Sequence, residues 1–129
     1  MTIEQALDTA LKAASTVTTV VSTRIYWMDA PQGTATPYLV YRTIADADQQ
    51  FSFSDKDTGR ALVQFDVVGS NKEAKTALYA VRTLLRGQSG TIGSLVVHII
   101  NPSNIRENFN PESMRYVFSL DLEVIYSYV

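Results

Sequence analysis

The most constraining feature of the sequence is the two-residue alternation of residues 115–128. The aromatic and aliphatic residues fall on one side of this segment, namely Tyr116, Phe118, Leu120, Leu122, Val124, Tyr126 and Tyr128. The opposite side is mostly polar and includes Ser119, Asp121, Glu123 and Ser127. This alternation predicts a long strand with one buried face, and it places Tyr116 and Tyr126 in the core. Because the strand runs to the end of the sequence, we expect the C-terminal segment to lie in a sheet.

The composition excludes several classes of function. A chain of 129 residues fits a single domain spanning residues 1–129. Its net charge of −2 provides no basic excess for binding phosphates, so we do not expect nucleic acid as a partner. The absence of cysteine excludes disulfides and thiolate zinc sites. With no secretion signal, and with a longest aliphatic run of only Leu95–Ile100, we expect an intracellular product that does not enter a membrane.

Two helices follow from capping signals and apolar spacing. Thr2 and Gln5 form a predicted capping box before a stripe of Ile3, Ala6, Leu7, Ala10, Leu11 and Ala14. A second box over residues 70–73 precedes the stripe of Ala74, Ala77, Leu78, Val81, Leu84 and Leu85, and Gly87 is the expected stop. The β-branched segment 15–23 keeps a helical spacing, so a turn and a short helix both remain open there.

The remaining segments predict strands and loops. The strands are Arg24–Trp27, Tyr38–Ala45, Arg60–Val68 and Ser94–Ile100, followed by the terminal strand. Tyr38–Ala45 is apolar on both sides, so we expect both of its faces to meet protein. The loops are Asp46–Gly59, Gln88–Gly93 and Asn101–Ser113. Together these elements predict an α+β fold with two helices on one face of a mixed, mostly antiparallel sheet of about five strands.

The residue types associated with catalysis do not form a recognisable site. His98 is the only histidine and is interpreted as a structural or surface residue. Residues 55–59 resemble an acidic metal loop, but Arg60 stands where a calcium loop requires glycine. A solvated acidic loop explains Asp46, Asp48, Asp55 and Asp57. We therefore assign no catalytic residue, cofactor or metal.

Two groups of residues are candidates for protein contacts. Arg24 precedes Tyr26 and Trp27, and Arg42 lies in an apolar strand, so each guanidinium requires a carboxylate or carbonyl partner, which another subunit can supply. The loop Asp46–Gly59 is long for a connector, and loops of this length are usually functional or flexible. Its predicted anchors are Phe51 and Phe53, with Asp55 and Asp57 as a polar rim.

The order of landmarks resembles the tail-terminator family of long-tailed bacteriophages. The resemblance extends from about Thr2 to Val129. It rests on the capped first helix, Arg24-Ile25-Tyr26, Pro31-Gln32-Gly33, Pro37-Tyr38, the Arg60–Val68 strand, the Ala74-Lys75 helix and the tyrosine-rich last strand.

The resemblance implies a structural role without a reaction or cofactor. Members of that family form a ring, usually a hexamer, that caps the tail tube, ends its polymerisation and contacts head-completion proteins. The implied partners are further copies of the chain, the tail-tube protein and a head-completion or connector protein. The implied location is the head-proximal end of the virion tail, after assembly in the host cytoplasm. Two alternatives remain, a ligand-binding or regulatory module with a pocket under the Asp46–Gly59 loop, and an enzyme using carboxylate chemistry.

We predict that replacing both Phe51 and Phe53 by serine abolishes assembly and leaves the melting temperature unchanged. The reason is that anchors in an exposed contact loop stabilise an interface rather than the subunit. Thermal melts and a tube-capping assay measure the two effects. A melting temperature several degrees lower, with tubes still capped at normal length, would place both rings in the subunit's own core.

Overall fold

The C-terminal segment lies in the middle of a sheet that has six strands within the described residues. The computed structural model describes residues 2–22, 24–48, 58–69, 73–86, 88–93, 95–112 and 114–128. The elements in chain order are α1 (Ile3–Ala13), α2 (Ser15–Val21), β1 (Ile25–Trp27), β2 (Tyr38–Asp48), β3 (Thr58–Gly69), α3 (Glu73–Arg86), β4 (Gly90–Ile92), β5 (Leu95–Asn110) and β6 (Arg115–Tyr128). The strand order is β1-β2-β3-β6-β5-β4. Among the strands of the described residues, β1 and β2 pair in parallel and the other pairs are antiparallel. The predicted α+β class is confirmed.

The core lies between the helices and one face of the sheet. Phe65 on β3 and Leu120 on β6 are fully buried, and Tyr126 is buried as predicted. The helix α1 contacts β1, whereas α3 contacts β3, β6 and β5, and α2 lies against both other helices. The helices therefore form one layer, with α1 over the β1 side of the sheet and α3 over β3, β6 and β5.

The predicted capping box at the start of α1 is present. The backbone N–H of Gln5 donates to Oγ1 of Thr2 over 3.2 Å, and the backbone N–H of Thr2 donates to Oε1 of Gln5 over 2.9 Å. These two bonds satisfy donors that a helix start otherwise leaves without partners. The apolar stripe of α1 is buried at Ile3, Ala6, Leu7 and Leu11.

The prediction of two helices is wrong, because residues 15–21 form the short helix α2. Val17 and Val21, four residues apart, are both fully buried. Burial of this pair outweighs the weak helix propensity of the β-branched residues around it. Ala14 has an extended backbone and separates α2 from α1, and the positive φ of 56° at Ser22 ends α2.

The helix α3 begins very close to the end of β3. Its stripe is buried at Ala74, Ala77, Leu78, Val81 and Leu85, as predicted. A Cβ atom added to Gly69 would lie 2.5 Å from the Cβ atom of Ala74, so only glycine fits at the end of β3. The residues 70–72 of the second capping box, and Gly87, lie outside the described residues.

Two predicted loops are partly strand. Within Asp46–Gly59, residues 46–48 pair with residues 59–61 and extend the β2–β3 hairpin, and residues 49–57 lie outside the described part of the chain. Most of the predicted loop 101–113 is strand, because β5 continues to Asn110 along β6. The hydrogen bonds that β6 offers explain this extension, since the side chains of residues 101–110 are mostly exposed and show no apolar period.

The outer strands of the sheet carry irregularities. The pairing of β5 with β6 shifts register between Val97 and Ile99 and again between Pro102 and Asn104. The pairing of β2 with β3 shifts between Thr43 and Ala45. Within the predicted turn Gln88–Gly93, the three residues of β4 pair with only Leu95–Val97 of β5. These observations make six strands rather than about five, with β1 and β4 as short outermost strands.

We predict that Leu122→Asp, like Leu78→Asp, prevents folding. Leu122 is 1% exposed, and an unpaired carboxylate there would lose several kcal/mol of solvation, comparable with the total stability of about 5–15 kcal/mol. Ile44→Asp is the matched control, because Ile44 is 55% exposed and the same carboxylate stays in water. Thermal melts followed by circular dichroism measure the melting temperature of each variant. A Leu122→Asp variant with the melting temperature of the parent would refute the assigned core face.

Candidate interaction surface

Arg24 is bound within its own chain. Its Nε donates to the backbone carbonyl of Pro37 over 2.9 Å, and a terminal guanidinium nitrogen donates to the carbonyl of Val20 over 3.4 Å. The backbone N–H of Leu39 in turn donates to the carbonyl of Arg24 over 2.9 Å. The carbonyl partner required for the Arg24 guanidinium is thus provided by the subunit itself. Arg24 fixes the start of β1 against β2.

Trp27 and Met28 extend from the end of β1 into solvent. Trp27 is 60% exposed and Met28 is 58% exposed, whereas Tyr26 is half-buried. Met28 has a φ of +69°, which turns the chain out of the strand, and its backbone N–H donates to the carbonyl of Tyr41 over 2.9 Å. We call Trp27 and Met28, with the adjacent face of α1, the β1 flank.

A cavity of ≈ 350 Å³ lies beside Trp27 and is lined by Thr2, Glu4, Gln5, Asp8, Trp27 and Tyr41. The Tyr41 hydroxyl donates to Oδ1 of Asp8 over 3.4 Å, and the Thr43 hydroxyl donates to Oε1 of Glu4 over 2.5 Å. Burial raises the pKa of Tyr41 well above its ordinary value, and the Asp8 and Glu4 carboxylates raise it further. Tyr41 is therefore neutral at physiological pH and acts as a hydrogen-bond donor.

The sheet face away from the helices is polar. A guanidinium nitrogen of Arg42 donates to Oε1 of Gln64 over 3.4 Å, and the Ser119 hydroxyl donates to Asp66 over 2.6 Å. Ion pairs join Arg60 to Glu123 and Arg106 to Asp121 on this face. The expectation that both faces of Tyr38–Ala45 meet protein is not met within the subunit, because only Leu39 and Tyr41 are buried. Arg42 is exposed and lies away from the β1 flank.

A second surface lies between α3 and the β5–β6 hairpin. It is a groove of ≈ 610 Å³ lined by Lys75, Thr76, Tyr79, Glu107, Asn108, Phe109, Tyr116 and Phe118. Lys75 and Glu107 form an ion pair across it with an N···O distance of 2.5 Å, and this pair raises the pKa of Lys75. We call this feature the aromatic groove.

Three neighbouring aromatic rings, one pair tilted and one pair stacked, line the aromatic groove. The ring of Tyr116 lies 4.7 Å from that of Phe109 and 6.1 Å from that of Phe118, measured between centroids. Tyr116 is 39% exposed and Phe109 is 40% exposed. The prediction that Tyr116 belongs to the core is therefore wrong, because β6 begins at the hairpin and only its later residues lie fully beneath the helices.

The structure brings together only part of the predicted interaction set. Tyr26 and Trp27 lie with Arg24 at the β1 flank, and Arg42 lies on the polar face of the sheet. Phe51, Phe53, Asp55 and Asp57 lie outside the described residues. Sequence reasoning missed the aromatic groove altogether. The available signal was a pair of aromatics, Phe109 within the predicted loop Asn101–Ser113 and Tyr116 at the start of the predicted last strand.

The described residues offer no arrangement typical of catalysis. His98 is exposed, with its Nε2 atom 2.8 Å from Oγ of Ser127, as expected for a surface histidine. In the described ranges no group of three histidine or carboxylate side chains is placed to hold a metal, and each buried side-chain nitrogen or oxygen has a partner. None of the described helices is long and apolar enough to cross a membrane.

Comparison with known proteins identifies one family. The family of the tail completion protein gp17 matches residues 5–127. No curated protein sequence matches the chain. The fold is similar to that of a chain in the virion of a native gene transfer agent particle, with a TM-score of 0.77 and 15% sequence identity. That alignment covers 97% of this chain and 94% of the other.

We predict that Tyr41→Phe flattens the pH dependence of stability above about pH 10. The folded state holds the Tyr41 proton more tightly than the unfolded state does, so the Tyr41 contribution is complete below pH 10 and is lost as the pH rises. Each pH unit above about pH 10 should remove up to about 1.4 kcal/mol more from the parent than from the variant. Urea unfolding between pH 8 and pH 11 measures both slopes, and equal slopes would contradict the assignment.

Proposed function

Because the chain belongs to the family of the tail completion protein gp17, we propose that it forms a hexameric ring that caps the tail tube. As a member of this family the protein is a structural component of the virion tail and not an enzyme. The proposed ring ends polymerisation of the tube and provides the joint to the head-completion or connector proteins. We place it at the head-proximal end of the tail, after assembly in the host cytoplasm, with residues 1–129 acting as one domain.

The observation that carries the proposal is the family match over residues 5–127, which covers nearly all of the sequence given. The similarity of the fold to a chain in a gene transfer agent virion supports a role inside an assembled particle. The exposed apolar side chains support it as well. Trp27, Met28 and Met114 are each more than half exposed on a subunit whose core is filled, and large exposed apolar residues are typical of protein interfaces.

The alternative of a ligand-binding module has no comparable support. It requires a pocket under the Asp46–Gly59 loop, and most of that loop lies outside the described residues. The aromatic groove, with a volume of ≈ 610 Å³, is formed instead by α3, β5 and β6. Rings that lie open at the rim of a groove suit a protein partner better than an enclosed metabolite.

We predict that the protein limits the length of polymerising tail tubes and binds one of their two ends. Tubes are assembled from the tube protein of the same virus, with and without this chain, and measured by electron microscopy. Size-exclusion chromatography with light scattering gives the mass of the chain alone and of the complex. If the subunits assemble only on the tube, the free chain will have the mass of a monomer, and each tube end in the complex will carry six copies.

The unfolded variant Leu122→Asp controls for nonspecific effects of added protein. A parent protein that stays monomeric in both conditions and leaves tube length unchanged would contradict the proposed function. A capped tube carrying a number of copies other than six would correct the ring size and keep the capping role.

A further inference from the structure

A closed ring of identical subunits requires two different surfaces that fit each other. Each subunit uses one surface towards the neighbour on its left and the other towards the neighbour on its right. The two surfaces must therefore lie on opposite flanks of the subunit. They must also lie at the same height along the ring axis and in the same layer. This inference rests on the proposed ring.

The β1 flank and the aromatic groove lie on opposite flanks of one layer. β1 is the first strand of the sheet order, and the groove is formed over β6 and β5 near the other side. Trp27 lines a cavity together with residues of α1, and the groove is lined by residues of α3. Both surfaces thus lie on the helix side of the sheet, at its two ends.

The strand register relates the positions of the two surfaces along the strands. Trp27 pairs with Tyr41, Tyr41 pairs with Phe65, and Phe65 pairs with Leu120. Phe118 and Tyr116 in the groove are two and four residues along β6 from Leu120. Because a strand rises about 3.4 Å per residue, the groove lies about 7–14 Å from the row of Trp27 along the strand direction. A ring axis inclined to the strands accommodates this offset and brings Trp27 of one copy opposite the groove of the next.

The two surfaces are complementary in shape and chemistry. Trp27 and Met28 project from one flank, and the other flank offers a groove of ≈ 610 Å³ with partly exposed aromatic rings. Offset aromatic pairs and contacts between a thioether and aromatic rings are both favourable.

The two helices behind these surfaces differ in net charge. The helix α1 has two acidic residues against one basic residue, and Asp29 adds a carboxylate beside Met28. The helix α3 has one acidic residue against three basic residues, of which Lys75 lines the groove and is paired there with Glu107. This difference in net charge between the helices favours the orientation in which α1 of one copy faces α3 of the next.

Pairing of strand edges is the main alternative mode of association, and the sheet disfavours it. Among the described residues, β1 pairs with only Leu39–Tyr41 of β2, and β4 pairs with only Leu95–Val97 of β5. Beyond the residues that β1 and β4 cover, β2 and β5 themselves form the outer edges of the sheet. These uncovered stretches contain the register shifts near Ile44, Ile99 and Pro102. Bulges and proline at an edge oppose the addition of another strand. We therefore expect two copies of the chain to contact each other through side chains rather than through strand edges.

We propose that the occupant of the aromatic groove is a second copy of this chain, whose Trp27 and Met28 insert between α3 and the β5–β6 hairpin. Each subunit offers its β1 flank to one neighbour and its groove to the other. The contact repeats around the ring without any additional protein.

Cross-linking tests this arrangement directly, because the natural chain contains no cysteine. The double variant Met28→Cys with Thr76→Cys carries one thiol on each surface. Treatment with a short bis-maleimide should give a ladder of covalent oligomers that ends at the ring size. Either single variant should give no ladder. The double variant Ile44→Cys with Ile99→Cys is the matched control for pairing of strand edges, and a ladder from it alone would overturn the proposal.

Paired substitutions give a second, independent test. Trp27→Glu removes the inserted residue and Tyr79→Glu disrupts the groove, and both side chains are exposed enough for the subunit to stay folded. Each should raise the dissociation constant of the contact about 30-fold or more and abolish the ring. In a mixture of the two variants, the intact β1 flank of Tyr79→Glu can still bind the intact groove of Trp27→Glu. The mixture should therefore form dimers and no rings. Ile44→Glu is the control and should assemble like the parent.

The outcomes separate this inference from the proposed function. Rings and capped tubes from Trp27→Glu and Tyr79→Glu, with no ladder from the Met28→Cys and Thr76→Cys pair, would overturn the inference and leave the capping role intact. A parent protein that neither assembles nor binds tube ends would overturn both. Melting temperatures close to that of the parent establish that the variants are folded.

Discussion

The antiparallel pairing of β3 with β6 is the interaction on which the rest of the fold depends. It runs without a register shift from Thr58 and Ser127 to Gly69 and Tyr116, and it joins segments about sixty residues apart. The paired strands present Phe65 and Leu120 to the helix layer as fully buried side chains. β2 and β5 then add to the outer sides of this pair, and α3 packs across both central strands. Because so much depends on a long-range pairing, we expect folding to be limited by its formation.

The division between core and interface follows from how far the helix layer extends. Under the helices, the apolar residues of β3 and β6 are fully buried and contribute to stability by burial. At both ends of the layer, apolar residues lack cover, and there Trp27, Phe109 and Tyr116 remain partly exposed. The opposite face of the sheet has polar contacts instead. Among the described residues, Trp27, Phe109 and Tyr116 are thus exposed at the flanks, where the proposed neighbour would bury them.

The sequence predicted the elements whose signal is local. Helices α1 and α3 and the strand β6 carry an apolar period of their own, so their existence and buried faces were predictable. The outer part of β5 was not, because its polar residues are held by hydrogen bonds to β6 rather than by burial. The helix α2 depends on tertiary burial of Val17 and Val21. The aromatic groove combines three separate elements, so no single window of the sequence contains it.

The register shifts in β2 and β5 have a consequence for the virus as well as for the subunit. In the proposed capping role, free subunits must remain separate until they reach a tube end. Smooth sheet edges would let the waiting subunits add to one another without limit and form fibres. The shifts at Thr43–Ala45, Val97–Ile99 and Pro102–Asn104 interrupt the hydrogen-bonding edge on both sides of the sheet. Such interruptions oppose the open-ended addition of strands at these two edges.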